Sequence, residues 1–257
     1  MKIMGQKYWI KCVFTLMLSG FAIFGFTQND VFEKANAAYK IKNYSEATSL
    51  YLSIYEKDVT SVELCYNLGN CFFKQNDFAK AILWYERAKR LDPLNSDVDF
   101  NLNVTRSKIV DKIEKKPTLF LVDWWWNFVF LFGATQWTII SILFFCGFLS
   151  LVALVLFSNS IVLRKWSLSI SLFVFGLFLV FTVAAWSHWS ILKDESALIV
   201  MEPSCNVKSS PDENSTLLFV IHEGLKVYQT DEIGEWIEIK LDNDTKGWIK
   251  KSEAEVI

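Results

Sequence analysis

Cys205 and His222 are the only cysteine and histidine of this 257-residue sequence that share its C-terminal segment, and such a pair is the raw material of a thiol peptidase. Cys205 has none of the surrounding pattern of a catalytic nucleophile, and the segment is too short for a hydrolase domain. The other four cysteines offer less. Cys12 and Cys146 lie in apolar runs, and Cys65 and Cys71 sit six residues apart on one expected helix. That is roughly 9 Å along the axis, too far for a disulfide without breaking the helix. Small buried apolar residues is the reading that suits Cys65 and Cys71. No CxxC or mixed Cys/His cluster implies a metal, and no cofactor is expected. Recognition chemistry is better represented. Asparagine, tyrosine and lysine recur at fixed spacing between residues 32 and 74, and Trp236 and Trp248 stand near the C-terminus. An asparagine amide offers a donor and an acceptor together, which matches an extended peptide backbone.

The elements that position these residues follow from a period of 34. Residues 29–62 overlay 63–96 with Asn36/Asn70, Lys40/Lys74, Ala47/Ala81, Tyr51/Tyr85 and Asp58/Asp92 identical. Cys65, Leu68, Gly69, Phe72, Ala81, Tyr85, Ala88 and Pro93 fall at the spacings of a tetratricopeptide repeat, with Cys, Phe and Tyr in the places of its usual Trp, Tyr and Phe. The sequence resembles two such helical hairpins, 28–61 and 62–95. Two repeats bury too little alone. A capping helix is expected over 97–116, from Val98, Leu102, Ile109 and Ile113, stopped by Pro117. The first helix of each repeat lines the concave face. This gives Phe32, Asn36, Tyr39 and Lys40, then Tyr66, Asn67, Asn70, Phe73 and Lys74, as candidate partner-binding residues. Asn36 and Asn67 fall where repeats of the carboxylate-clamp type place asparagines, but Phe32 and Asp97 occupy positions that clamp fills with basic residues. The expected ligand is therefore an internal peptide segment or a protein surface. The competing reading has Asn67 and Asn101 capping local backbone, and Lys40 and Lys74 as solvated charges.

The middle of the chain is apolar. No charged residue occurs over 124–163 or 166–192, each longer than the ~20 residues that cross a bilayer as a helix. Spans are expected at 137–157 and 166–186, forming a transmembrane hairpin. The Trp- and Phe-rich stretch 118–134 reads as an interfacial segment, or as a lengthening of the first span. Arg164 and Lys165 mark the connecting loop 158–165 as cytoplasmic. Lys2, Lys7 and Lys11 precede an apolar run over 12–26, so 1–27 reads as a signal peptide, or as an uncleaved anchor. Both signals put the N- and C-terminal domains outside the cytoplasm. Neither span carries a charged side chain of the kind transport and proton relay use.

Residues 196–257 change to an alternating pattern, with about five short strands expected, including Leu217–Ile221, Trp236–Leu241 and a strand from Gly247. From Asp194 onward there are 14 acidic and 6 basic residues, which disfavours nucleic acid. Val207–Pro211, Glu223-Gly224, Gly234-Glu235-Trp236 and Gly247-Trp248-Ile249 resemble a bacterial SH3-like barrel. Trp236 and Trp248 are then either an aromatic peptide or glycan groove, or core positions. The order signal, repeats, two spans and SH3-like barrel is similar to that of the BatE-like proteins of the Bacteroides aerotolerance operon. That resemblance implies a multidomain inner-membrane protein with periplasmic domains. It also implies von Willebrand factor A-domain membrane proteins of the same operon as partners, beside a MoxR-type ATPase, and a part in envelope or oxidative-stress tolerance.

The function expected is a non-enzymatic, membrane-tethered adaptor that binds a protein or peptide in the repeat groove. The alternative is a peptidoglycan-binding accessory or a cryptic wall hydrolase.

Overall fold

The computed structural model describes residues 30–57, 59–113 and 119–257. The signal expected over 1–27 and the stop expected at Pro117 lie outside the described residues.

Small residues set the spacing of the helical part. Residues 30–40 form helix α1, followed by α2 (Tyr44–Tyr55), α3 (Val62–Lys74), α4 (Phe78–Leu91) and α5 (Ser96–Arg106). Ala35, Ala47 and Ala81 are fully buried. A Cβ on Gly69 would stand 2.6 Å from the Tyr85 ring, so only glycine lets α3 and α4 approach this closely. The turns repeat with the period. Lys42 and Asn76, one period apart, both take the left-handed conformation, with φ of 64° and 63°. Asn43 and Asp77 then cap α2 and α4 by accepting from the Glu46 and Lys80 N–H groups.

Helix α5 stops at Arg106, ten residues short of the expected 97–116. Val98 and Leu102 enter the repeat core, Ile109 packs against that same core while meeting Gly224, and Ile113 packs on the β core. The four residues share helical spacing in sequence, yet the chain leaves the helix after Arg106 and passes from one core to the other.

Among the described residues, two helices are long and apolar enough to cross a membrane, α7 (Ala134–Phe157) and α8 (Ile161–Lys193). They pair along their length, with the Ser141 and Thr182 hydroxyls 2.7 Å apart. Both run past the expected spans. The connection shrinks from the expected 158–165 to 158–160, because Arg164 and Lys165 are helical and Arg164 Nε donates to the Val155 carbonyl at 2.9 Å. A short helix, α6 (Phe120–Val129), precedes the pair within the expected interfacial stretch.

The C-terminal region is an antiparallel sheet of seven strands: β1 (Ala197–Val200), β2 (Cys205–Lys208), β3 (Leu217–Ile221), β4 (Lys226–Ile233), β5 (Trp236–Lys240), β6 (Lys246–Lys250) and β7 (Ala254–Val256). Their order is β3-β2-β6-β5-β4-β1-β7, and no pairing between β3 and β7 closes it. The alternation read from sequence is real: Ile237, Ile239 and Ile249 point into the core.

This sheet is docked on the repeats. Ile199 and Ile257 belong to the repeat core itself. Arg87 of α4 donates to the Val256 carbonyl at 2.7 Å and to Glu255 at 3.0 Å, and its guanidinium lies 4.6 Å from the Trp84 ring centre. Glu86, 3% exposed, accepts from Lys226 of β4 at 2.8 Å and from Arg106 of α5. Gly224, at φ 83°, lets the β3–β4 turn press against Ile109 and Ile82.

Candidate partner-binding groove

The groove is built from α1, α3 and α5, each presenting one face to a shared concavity. A cavity of about 310 Å³ is lined by Tyr39, Tyr66, Asn70, Phe73, Lys74, Tyr85, Asn101 and Val104. Five of the nine residues proposed for this face from sequence come together here. Phe32, Asn36, Lys40 and Asn67 do not line it. Tyr85, Asn101 and Val104 do, and sequence reasoning did not place them there. The available signal was the period: Asn101 stands one repeat after Asn67.

The asparagines are held by tyrosines at the same period. Tyr51 Oη donates to Asn36 Oδ1 at 2.5 Å, and Tyr85 Oη donates to Asn70 Oδ1 at 2.7 Å. The Asn67 amide interacts with the Tyr51 hydroxyl, and Asn101 with that of Tyr85. Asn101 Nδ2 also donates to Tyr66 Oη at 2.9 Å and to Asn70 Oδ1 at 3.0 Å. Asn101 thus ties α5 to α3 through side chains. Burial pushes the Tyr51 hydroxyl up to about 12, and it raises Tyr85 further and Tyr39 as well. These phenols stay protonated and act as donors at any physiological pH.

Aromatic edges complete the walls. Tyr39 meets Tyr44 with ring centres 5.3 Å apart, and Phe73 meets Phe78 at 5.8 Å. Tyr66 tilts on Tyr85 at 5.9 Å. Phe32 packs edge-on against Tyr51 at 5.5 Å, as a wall of the hydrophobic core. Lys40 and Lys74 are exposed, and only Lys74 reaches the cavity rim. The arrangement offers three aromatic walls, fixed amides and one cation, with no paired acid and base. It suits a polypeptide segment with an acidic side chain near Lys74.

Trp236 and Trp248 are half-buried on the outward face of β5 and β6, opposite the isoleucines of the core. Trp248 is in register with Glu238 and Lys208, and Lys250 lies 5.9 Å from the Trp236 ring centre. Cys205 is fully buried on β2, and burial together with the Glu253 carboxylate raises its thiol far above the ordinary value. A thiol so placed stays neutral and is a core residue. His222 instead engages Asp111: its backbone N–H donates to Oδ2 at 2.6 Å, and Nδ1 lies 3.1 Å from Oδ1. Burial likewise holds Cys65 and Cys71 up at about 11. Among the described residues, no group of three or more His, Cys, Asp or Glu could hold a metal.

A family model described as Tetratricopeptide repeat matches residues 62–95, which is α3 with α4. The second hairpin is therefore a tetratricopeptide repeat, and repeats of this type mediate protein–protein interaction. No curated protein matches the chain.

Proposed function

We propose that this chain is a membrane-tethered adaptor that binds a protein or peptide segment in the concave groove of its repeats. The observation that carries this reading is the cavity across α1, α3 and α5, whose amides are locked by tyrosines before any partner arrives. A groove ordered in advance loses less side-chain entropy on binding. The tether is the α7–α8 hairpin. Trp166 and Trp186 of α8 lie twenty positions apart, about 30 Å at 1.5 Å per residue, the thickness of a bilayer's hydrocarbon core. Arg164 and Lys165 at one end mark the cytoplasmic side. The repeats and the sheet then face the periplasm of a bacterial inner membrane. We read the sheet as an SH3-like module, on its short strands and the Gly234-Glu235 turn that leads into Trp236, and the whole as a Bat-type envelope-stress component. Von Willebrand factor A-domain membrane proteins are the partners this implies.

The test uses the full chain in mild detergent as bait in its own cells. Lys74→Glu with Tyr39→Ala changes the groove and touches neither the Asn–Tyr bonds nor the hairpin. Loss of a defined set of co-purified envelope proteins is the expected result. An unchanged set counts against the groove. A second reading, a peptidoglycan-binding accessory, is favoured by the outward Trp236 and Trp248 alone. It predicts co-sedimentation with purified cell wall that Trp248→Ala abolishes.

A further inference from the structure

We infer that α6 is a membrane-interface helix whose N-terminal half lies among lipid headgroups beside the outer end of the hairpin. The inference rests on the reading of α7–α8 as membrane-spanning. Three observations lead to it.

The first is exposure. Leu119, Phe120, Leu121, Val122 and Trp124 are consecutive but for Asp123, and all are exposed, Phe120 at 76% and Trp124 at 65%. Soluble surfaces scatter such side chains singly; a contiguous run of this size marks an interface.

The second is position. The C-terminal half of α6 is locked to the end of the hairpin by a buried knot. Trp137 Nε1, near the start of α7, donates to the Val129 carbonyl at 2.8 Å. Trp137 stacks on Phe181 of α8 at 5.5 Å and meets Phe128 at 4.9 Å. Phe130 meets His188 edge-on at 5.9 Å. Val129, Trp137 and Ala184 form the buried centre. The residues gripped on the hairpin are the first turn of α7 and the stretch 181–188 of α8, at the end opposite Arg164. A helix fixed there lies at the level where the bilayer meets water.

The third is composition. Trp124, Trp125, Trp126, Trp137, Trp186 and Trp189 gather at this one end of the hairpin. Indole is apolar in its body and wet at its N–H, so it favours the headgroup zone. Lys193 Nζ, 3.9 Å from the Trp189 ring centre, adds a cation at the same level. On the hairpin that α6 is locked to, Ile139, Val183 and Trp186 are exposed as well. Lipid is the occupant that exposed apolar side chains on both α6 and a spanning hairpin select. The consequence is mechanical. Arg90 of α4 donates to the Asp194 carbonyl just beyond α8 at 3.1 Å, so the repeats are mounted on the helix that α6 grips. Lipid contact on α6 then limits how far the groove can tilt from the membrane.

The test places an environment-sensitive fluorescent amino acid at Leu121, at mid-hairpin Leu143, or at Ile41 of the repeats. The full chain is reconstituted in phosphatidylethanolamine vesicles with a minority of phosphatidylglycerol. Lipids brominated either near the headgroup or near the chain end serve as quenchers. Leu121 is expected to be quenched several-fold more by the shallow quencher, Leu143 more by the deep one, and Ile41 by neither. A label at Val122 repeats the measurement if the Leu121 variant misfolds. Deep quenching at Leu121 overturns the inference, because α6 would then extend the span. Blue-shifted but unquenched emission at Leu121 also overturns it, since a protein surface would be the cover. Absence of quenching at Leu143 removes the spanning reading itself, whatever Leu121 does.

Discussion

At the residue scale the repeat array is organised by one unit used twice, the second copy of which lines the groove. Asn36, Tyr51 and Asn67 stand to one another as Asn70, Tyr85 and Asn101 do, one period later. An asparagine carbonyl left inside the array without a donor would cost free energy, and the tyrosine hydroxyl removes that cost. Tyr51→Phe is expected to destabilise the repeats by about 1 kcal/mol, and Tyr85→Phe by less, because Asn70 Oδ1 keeps the Asn101 donor. The midpoint of urea unfolding, followed by circular dichroism in detergent, measures both. A larger loss at Tyr85 than at Tyr51 would contradict this. The equal letters of this unit were legible in the sequence, since the period alone aligns them. Their partners were not. Asn67 was expected on the concave face, with local capping by Asn67 and Asn101 as the competing reading, and neither reading showed that Asn101 reaches back across 31 residues to Asn70. Spacing shows which positions are equivalent, and only packing shows what each touches.

At the element scale the repeats and the sheet are joined through a buried carboxylate. Glu86 loses hydration on burial, which by itself opposes ionisation. Lys226 and Arg106 outweigh that loss and hold the carboxyl below the usual range. A carboxyl whose folded value is depressed contributes stability at pH above its unfolded value, about 4.3. That contribution fades as the pH falls through the folded value. Glu86→Gln leaves two cations without their counter-charge, at a cost of about 3 kcal/mol. Hydrogen exchange at pH 7 should then show faster exchange in both α4 and β4. At acid pH the variant and the parent should converge, and a gap that persists would place the stabilisation elsewhere. This junction was invisible in the sequence, since Glu86 and Lys226 lie 140 residues apart. Ile109 and Ile113 were visible, but the single helix expected to carry them was not formed. Ile109 still packs on the repeat core, whereas Ile113 packs on the sheet, a surface that helical spacing cannot show. The strands were legible because a period of two is written into Trp236–Lys240. The seven-strand order was not, because β1 and β7 are short and pair with each other only through tertiary contact.

At the scale of the whole molecule, a groove and a sheet form one head at the end of an apolar hairpin. The two modules do not sample space independently, since Arg87, Glu86 and Gly224 fix the sheet to α4 and α5. Partners at the two modules would be held in one geometry, so a joint partner must match that geometry to gain avidity. The apolar runs were the plainest feature of the sequence. Their ends were less plain, because Arg164 and Lys165 suggested a loop where the chain is already helical.

The central claim is that the concave face takes the partner. Photocrosslinking in living cells tests it most directly, with a benzophenone amino acid at Lys74 on the groove rim or at Lys57 at the exposed end of α2. Discrete heavier species from Lys74, weakened by Tyr39→Ala and absent from Lys57, are the predicted result. The same adducts from both sites, or none from Lys74 while the chain remains folded, would contradict it.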